Sequence, residues 1–185
     1  MRADVIVTGT DAAIAAVERQ TRSIPIVMVA ASDPVGTGFV ASLARPGGNV
    51  TGSSRMSSEL GAKRLELLRE AVPQLSRVAV VTPNPVTFAN QDQVPGFARR
   101  QRRPSIYGVH EYVDAGGLMA YGASIGAAYR RAAFFVDRIL KGARPGDVPV
   151  EQPTTFELVI NLKTAKAIGL AIPPPLLRRA DRVIE

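Results

Sequence analysis

Cysteine and tryptophan are both absent from this chain of 185 residues, and histidine occurs once, as His110. Without cysteine there is no disulfide, no thiolate nucleophile and no sulfur ligand for a metal. One histidine is too few for a histidine-rich metal centre, and it leaves a single candidate base for a histidine-dependent triad. No catalytic residue, metal site or cofactor is therefore expected. No apolar run reaches the ~18 residues that cross a bilayer. Met1-Arg2-Ala3-Asp4 leads at once into strand-like residues, with no secretory signal pattern. Internal repeats and low-complexity tracts are absent as well.

What is present reads as a globular α/β chain. Hydrophobic residues make up 46% and charged residues 21%, enough for one domain with a sizeable core or for two small lobes. The net charge of +7 raises the question of nucleic acid. The arginines are spread along the chain, with one dense cluster at Arg99-Arg100-Gln101-Arg102-Arg103. The four tyrosines do not interleave with it, as a single-strand stacking platform requires. The cluster reads as a solvated basic face, and no nucleic-acid partner is expected.

Asp4 to Val7 reads as a strand ending in Thr8-Gly9-Thr10-Asp11, where Thr10 or Asp11 caps a helix beginning at Ala12. Ile24 to Val29 is the next strand, so the opening is a parallel βαβ unit. Asp33 to Gly52, DPVGTGFVASLARPGGNVTG, follows with five glycines and two prolines, a composition that excludes a helix interior or a central strand. Long loops at the carboxyl end of a parallel strand are where open α/β folds hold ligands. Asn49 to Gly52 resembles a short strand. A helix follows from Ser57-Ser58-Glu59-Leu60 through Val72, closed by Pro73, and Arg77 to Val81 is a further strand. Thr82 to Arg103 holds neither helical nor strand period. Strands at Ser105-Ile106-Tyr107 and Leu118 to Tyr121 precede a long helix from Ser124 to about Lys141, with Gly142 as its stop. Phe156 to Ile160 is β-rich, Leu162 to Ile168 is a short helix, and Leu176 to Ile184 a last one.

Several loops thus fall just after strands: Thr8-Gly9-Thr10, Ser32-Asp33-Pro34, Gly52-Ser53-Ser54, Tyr107-Gly108 and Tyr121-Gly122. In a parallel sheet they gather on one edge, where helix amino termini offer N–H groups and positive potential to a carboxylate or phosphate. Tyr107 and Tyr121 are candidates to stack on an apolar ligand body. The set describes a small-molecule crevice and no particular reaction.

Four stretches carry a family resemblance: DPVGTGFVASLARPGGNVTG, ELGAKRLELLREAVPQLSRVAVV, EYVDAGGLMAYG, and the run from Tyr129 to Glu185. They closely resemble substrate-binding proteins of ABC transporters, in the branch related to bacterial tryptophan/tyrosine-binding components, over nearly all of residues 3–83 and 104–185. The resemblance implies an α/β, periplasmic-binding-protein-like fold of two parallel-sheet lobes joined by a hinge, with a small solute such as an aromatic amino acid in the cleft. Lobe one is expected at 1–74 with carboxyl-terminal segments from about 145–185, and lobe two at 75–144. The hinge is expected near Pro73–Ser76 and after Gly142. Carried onto this sequence, Thr8, Gly9 and Thr10 meet the ligand with Asp33 and Pro34 beside them, and Tyr107, Tyr121 and Gly122 meet it from lobe two. Asp33 or Glu111 pairs with its ammonium group. A membrane permease is the implied partner.

The chain departs from the family pattern in three ways. The export signal and a βαβα stretch are missing before Met1, so family resemblance implies the periplasm whereas the chain as written is expected in the cytoplasm. About twenty irregular residues replace several βα units between Pro83 and Pro104, as if joined near Asn84, with Phe88-Ala89-Asn90-Gln91-Asp92-Gln93 resuming the last unit. Lobe two is thus expected to be incomplete, with marginal stability or homo-oligomeric association through exposed strand edges. Two other classes compete with solute binding: a hydrolase-like enzyme using His110 beside Glu111, and a basic nucleic-acid-interacting module built on Arg99 to Arg103.

Overall fold

Every residue of Ile26–Ala31 is buried, so both faces of this strand must be covered. The computed structural model describes residues 3–56, 59–78, 87 and 89–185, and shows how that is done. In chain order its elements are β1 (Ile6–Thr8), α1 (Asp11–Gln20), β2 (Ile26–Ala31), β3 (Val50–Ser54), α2 (Leu60–Ala71), α3 (Gln93–Arg100), β4 (Ile106–Tyr107) and α4 (Glu111–Asp114). There follow β5 (Met119–Gly122), α5 (Ile125–Leu140), a 3-10 turn (Pro145–Asp147), β6 (Glu157–Asn161), α6 (Leu162–Ala167), α7 (Pro174–Leu177) and β7 (Arg182–Ile184). They form two units, residues 1–58 with 125–154 and residues 59–124 with 155–185.

In the first unit β1, β2 and β3 make a parallel sheet with β2 in the centre. Alternation along β2 divides its side chains between two cores. Ile26 and Met28 pack with Ile14 of α1 and with Phe39 and Val40 of the glycine-rich loop. Val27 and Val29 face Ala132, Phe135 and Ile139 of α5. The loop that the sequence singles out is therefore a folded cover for one sheet face. Asp33 closes its first turn, and Gly47 donates from its backbone N–H to the Gly146 carbonyl at 3.1 Å. Residues 148–151 run beside β3, where the Thr51 hydroxyl donates to the Val148 carbonyl at 2.7 Å.

An ion pair secures that flank. Arg131 of α5 lies 3.7 Å over the Phe134 ring and donates twice to Glu151, at 2.7 and 2.6 Å. The hydrogen bond from Arg131 holds the Glu151 carboxyl below its ordinary 4.5, against a smaller opposing effect of burial. A lowered folded-state pKa adds stability that is complete above the unfolded value and is lost as pH falls through 4.5 toward the folded value. Both partners are well exposed, so the pair contributes about 0.5–1 kcal/mol. Glu151→Gln should therefore lower the unfolding midpoint slightly at pH 7, and the difference from the parent should shrink on acidification. Thermal scans across the carboxylate range check this; a gap that widens toward low pH would contradict it.

The second unit carries the sheet order β4-β5-β6-β7. Here the expectation of a parallel sheet is corrected. β4 with β5 and β6 with β7 are parallel, but β5 and β6 are antiparallel. The chain leaves for the first unit between β5 and β6, so no βαβ crossover constrains the direction of its return. Leu67 and Ala71 of α2, with Ala165 and Leu176, cover the face of Met119, Leu158 and Ile160, while Val113 covers the face of Ala120 and Val159.

Three more expectations are revised. Arg182–Ile184, read as the end of a helix, is β7, because pairing with Val159–Asn161 outweighs its local propensity. Gln93–Arg100, read as irregular, is helical; Pro95 falls in the first turn, where its missing N–H costs no hydrogen bond. The chain passes between units at residues 58–59, 124–125 and 154–155, rather than near Pro73–Ser76 and after Gly142, so α2 and the stretch from 155 belong with β4 and β5. Most of the expected strand Arg77–Val81, the junction near Asn84, Ser57, Ser58 and Phe88 lie outside the described residues.

Candidate functional site

Parallel order in the first sheet places the carboxyl ends of β1, β2 and β3 on one edge, where Ala31 pairs with Ser54 and the shorter β1 ends with Thr8 beside Met28. Thr10 caps α1 there, its hydroxyl accepting from the Ala13 N–H at 3.2 Å. Asp11, in the first helical turn, accepts from the Ser32 N–H at 3.0 Å and so ties the helix start to the end of β2. The Ser32 hydroxyl in turn accepts from Arg55 at 3.0 Å. Ala30, just before this point, holds φ at 127°, strained for a side chain with a Cβ. The result is an edge with hydroxyls, one helix amino terminus and an Asp11–Ser32–Arg55 chain of hydrogen bonds, suited to a polar head group.

Of the residues the sequence proposes for this edge, Thr8, Gly9 and Thr10 lie where β1 gives way to α1. Gly9 lies directly beneath the phenol of Tyr129, a residue of α5 that the sequence does not single out. The Asp33 Oδ1 accepts from the Gly36 N–H at 2.8 Å, and its carbonyl from the Thr37 hydroxyl, in an Asp-Pro turn that leaves Asp33 exposed. Pro34 is buried beneath that turn.

In the second unit, Tyr107 and Tyr121 do not act together. Tyr107 pairs in register with Ala120, so the two tyrosines project from opposite faces of the sheet. Tyr107 is stacked on Tyr112 with centroids 5.0 Å apart and belongs to the core there. Tyr121 packs beside Phe156 at 5.9 Å on the other face. Gly122 is buried, and a Cβ on it would run into the Gly108 carbonyl. Arg64 of α2 closes this strand end. Its Nε donates to the Tyr121 carbonyl at 2.8 Å, and its Nη2 lies 3.2 Å from where a Gly108 Cβ would stand. A shallow hollow of about 410 Å3 lined by Ala62, Leu65, Glu66 and Arg69 opens on the opposite side of α2 and brings no convergent polar groups.

Glu111 starts α4 and is half-buried, with Oε2 unpartnered among the described residues and Oε1 3.8 Å from His110 Nε2. His110 itself pairs through Nδ1 with Asp114 at 2.9 Å, and Asp114 accepts from Arg182 of β7 at 2.7 Å. Burial alone would raise the Asp114 carboxyl; the hydrogen bonds from His110 and Arg182 outweigh it and hold the group below its ordinary value. The histidine is thus engaged in a charge cluster that joins α4 to β7. Arg99, Arg100, Arg102 and Arg103 are exposed on and after α3.

The family model described as ABC transporter substrate binding protein matches residues 1–97 and 79–184, nearly the whole chain. The chain belongs to this family. The two matched stretches share residues 79–97, the part in which the sequence suggests a junction. Among curated relatives, the tyrosine-binding protein of Clostridioides difficile (strain R20291) is 25% identical over 203 residues, covering 81% of this chain and 58% of that protein. The chain thus spans little more than half the length of that relative. Its fold is also that of solved structures. A conserved domain protein from Vibrio cholerae superimposes with a TM-score of 0.85 at 24% identity, covering 98% of this chain and 79% of the other. An ABC domain from Streptococcus pneumoniae in complex with L-Trp gives 0.81 at 23%, with the same coverage. A ligand-free, open substrate binding protein with adhesive properties from Clostridium difficile gives 0.67 at 22%, covering 98% and 78%. At these identities the likeness establishes the periplasmic-binding-protein-like α/β fold.

Proposed function

We propose that this chain is the solute-binding component of an ABC transporter and takes a small zwitterionic solute, an aromatic amino acid, which it presents to a membrane permease from outside the cytoplasmic membrane. The observation that carries the reading is the convergence of Thr8, Gly9 and the Thr10-capped start of α1 at the carboxyl edge of the first sheet, in a chain that belongs to this family. Unpaired N–H groups and the positive end of a helix suit the solute's carboxylate. The names of the relatives support an aromatic side chain: one is a tyrosine-binding protein and another was solved with L-Trp. They support a binding role over a catalytic one for the same reason.

Thermal unfolding with and without a panel of amino acids tests the proposal. A solute at 100 times its Kd stabilises the fold by about 2.7 kcal/mol, a midpoint rise of roughly 5–10 °C for a chain of this size. The rise is expected with L-Trp or L-Tyr. A transition indifferent to both at millimolar concentration would sink the solute assignment.

A further inference from the structure

Tyr129, in the second turn of α5, leaves 53% of its surface in solvent. The same helix buries Ala132, Phe135 and Ile139 against β2, so packing of the helix does not account for an aromatic ring left outside. The ring is nevertheless placed. A Cβ on Gly9 would collide with the Tyr129 hydroxyl and lie 3.3 Å from its Cζ, so the phenol rests on bare backbone between β1 and α1. Among the described residues nothing hydrogen bonds to that hydroxyl. An exposed, unbonded aromatic beside Thr8 and Thr10 forgoes the free energy of burial that its surface would yield elsewhere. A flat solute laid against it would recover that free energy, with the offset-stacked geometry that aromatic pairs prefer.

We propose that Tyr129 is the specificity-determining side chain of the first unit, its ring receiving the flat side chain of an aromatic amino acid whose head group lies on Thr8, Gly9 and Thr10. This rests on the reading that the chain binds such a solute. Gly9 then has a defined part: any side chain at that position would push the ring off the edge. The aromatic candidates read from the sequence, Tyr107 and Tyr121, pack on Tyr112 and Phe156 in the second unit.

The chain contains no tryptophan, so the fluorescence of L-Trp reports its own binding without protein background. Titrations of L-Trp with the 185-residue chain and with Tyr129→Phe, Tyr129→Ala and Tyr129→Leu test the proposal. Tyr129→Phe should bind within about threefold of the parent, and the other two should lose about 10- to 100-fold, while all four unfold at closely similar temperatures without ligand. Parental affinity in Tyr129→Ala would overturn the role of Tyr129 and leave the solute reading intact. An equal loss in Tyr129→Phe would overturn stacking in favour of the hydroxyl, and a much lowered midpoint in the unliganded Tyr129→Ala and Tyr129→Leu would make the residue structural. A parent chain that binds neither L-Trp nor L-Tyr would remove the solute reading, and this inference with it.

Discussion

Gly52→Ala is expected to destabilise the first unit by about 3–5 kcal/mol. Two causes add. Gly52 holds φ at 134°, where a side chain is strained. Its missing Cβ would also fall on the backbone of the neighbouring strand, within 2.7 Å of the Met28 nitrogen and closer still to the Met28 carbonyl. Met28 is fully buried and pairs with Gly52 in the β2–β3 register, so neither strand can retreat without opening both cores of the unit. Gly38 supplies the control. It also has positive φ, at 79°, but nothing lies within 4 Å of its Cβ position. Gly38→Ala should cost only about 1 kcal/mol. Urea or thermal unfolding of the two variants separates contact from conformation: equal effects would mean that the close approach at Met28 contributes nothing.

Phe135→Ala should cost about 3–5 kcal/mol by a different route, the cavity it leaves. The ring is 1% exposed and fills the space between α5 and the Val27–Val29 face of β2, bounded by Ala132, Ile139 and Val148. β2 and the helix around Phe135 are held from several sides, so collapse into the vacated volume is incomplete. With a urea slope of about 2 kcal/mol per molar, the midpoint should fall by roughly 2 M. Amide exchange adds a second measurement, since protection in β2 should drop sharply. Phe134, one residue earlier and 36% exposed, sits outside this core under Arg131, and Phe134→Ala should cost far less. Comparable losses for the two phenylalanines would refute the division of α5 into a buried and an exposed face.

Many of the elements were legible because their signals are local. The run at Ile26, the Thr10 cap and the stops at Pro73 and Gly142 each depend on a few neighbouring residues, and each element formed within a residue or two of its expected place. The Thr8-Gly9-Thr10 edge was equally accessible, since a βαβ unit leaves little choice about where a β1–α1 loop lies. Other features were not legible. Phe39 and Val40 turn the glycine-rich loop inward as a core layer, and the Asp33 Oδ1 accepts from the Gly36 N–H. Nothing in the loop's composition separates a turn-forming aspartate from one that pairs with an ammonium group.

From its sequence alone the α/β class and the elements that carry the first strand edge were determined, because periodicity, caps and breakers act over a few residues; the family was legible through the resemblance of four longer stretches. Tertiary structure alone decided which side chains share that edge. Register sent Tyr107 and Tyr121 to opposite faces, a return from the other unit made β6 antiparallel, and β6 turned the last residues into a strand. Gly9 and Tyr129 stand more than a hundred positions apart in the chain, and Arg64 reaches the ends of β4 and β5 from a helix that reads only as amphipathic. Such contacts depend on how the sheet and helices pack in three dimensions, and no local propensity encodes them.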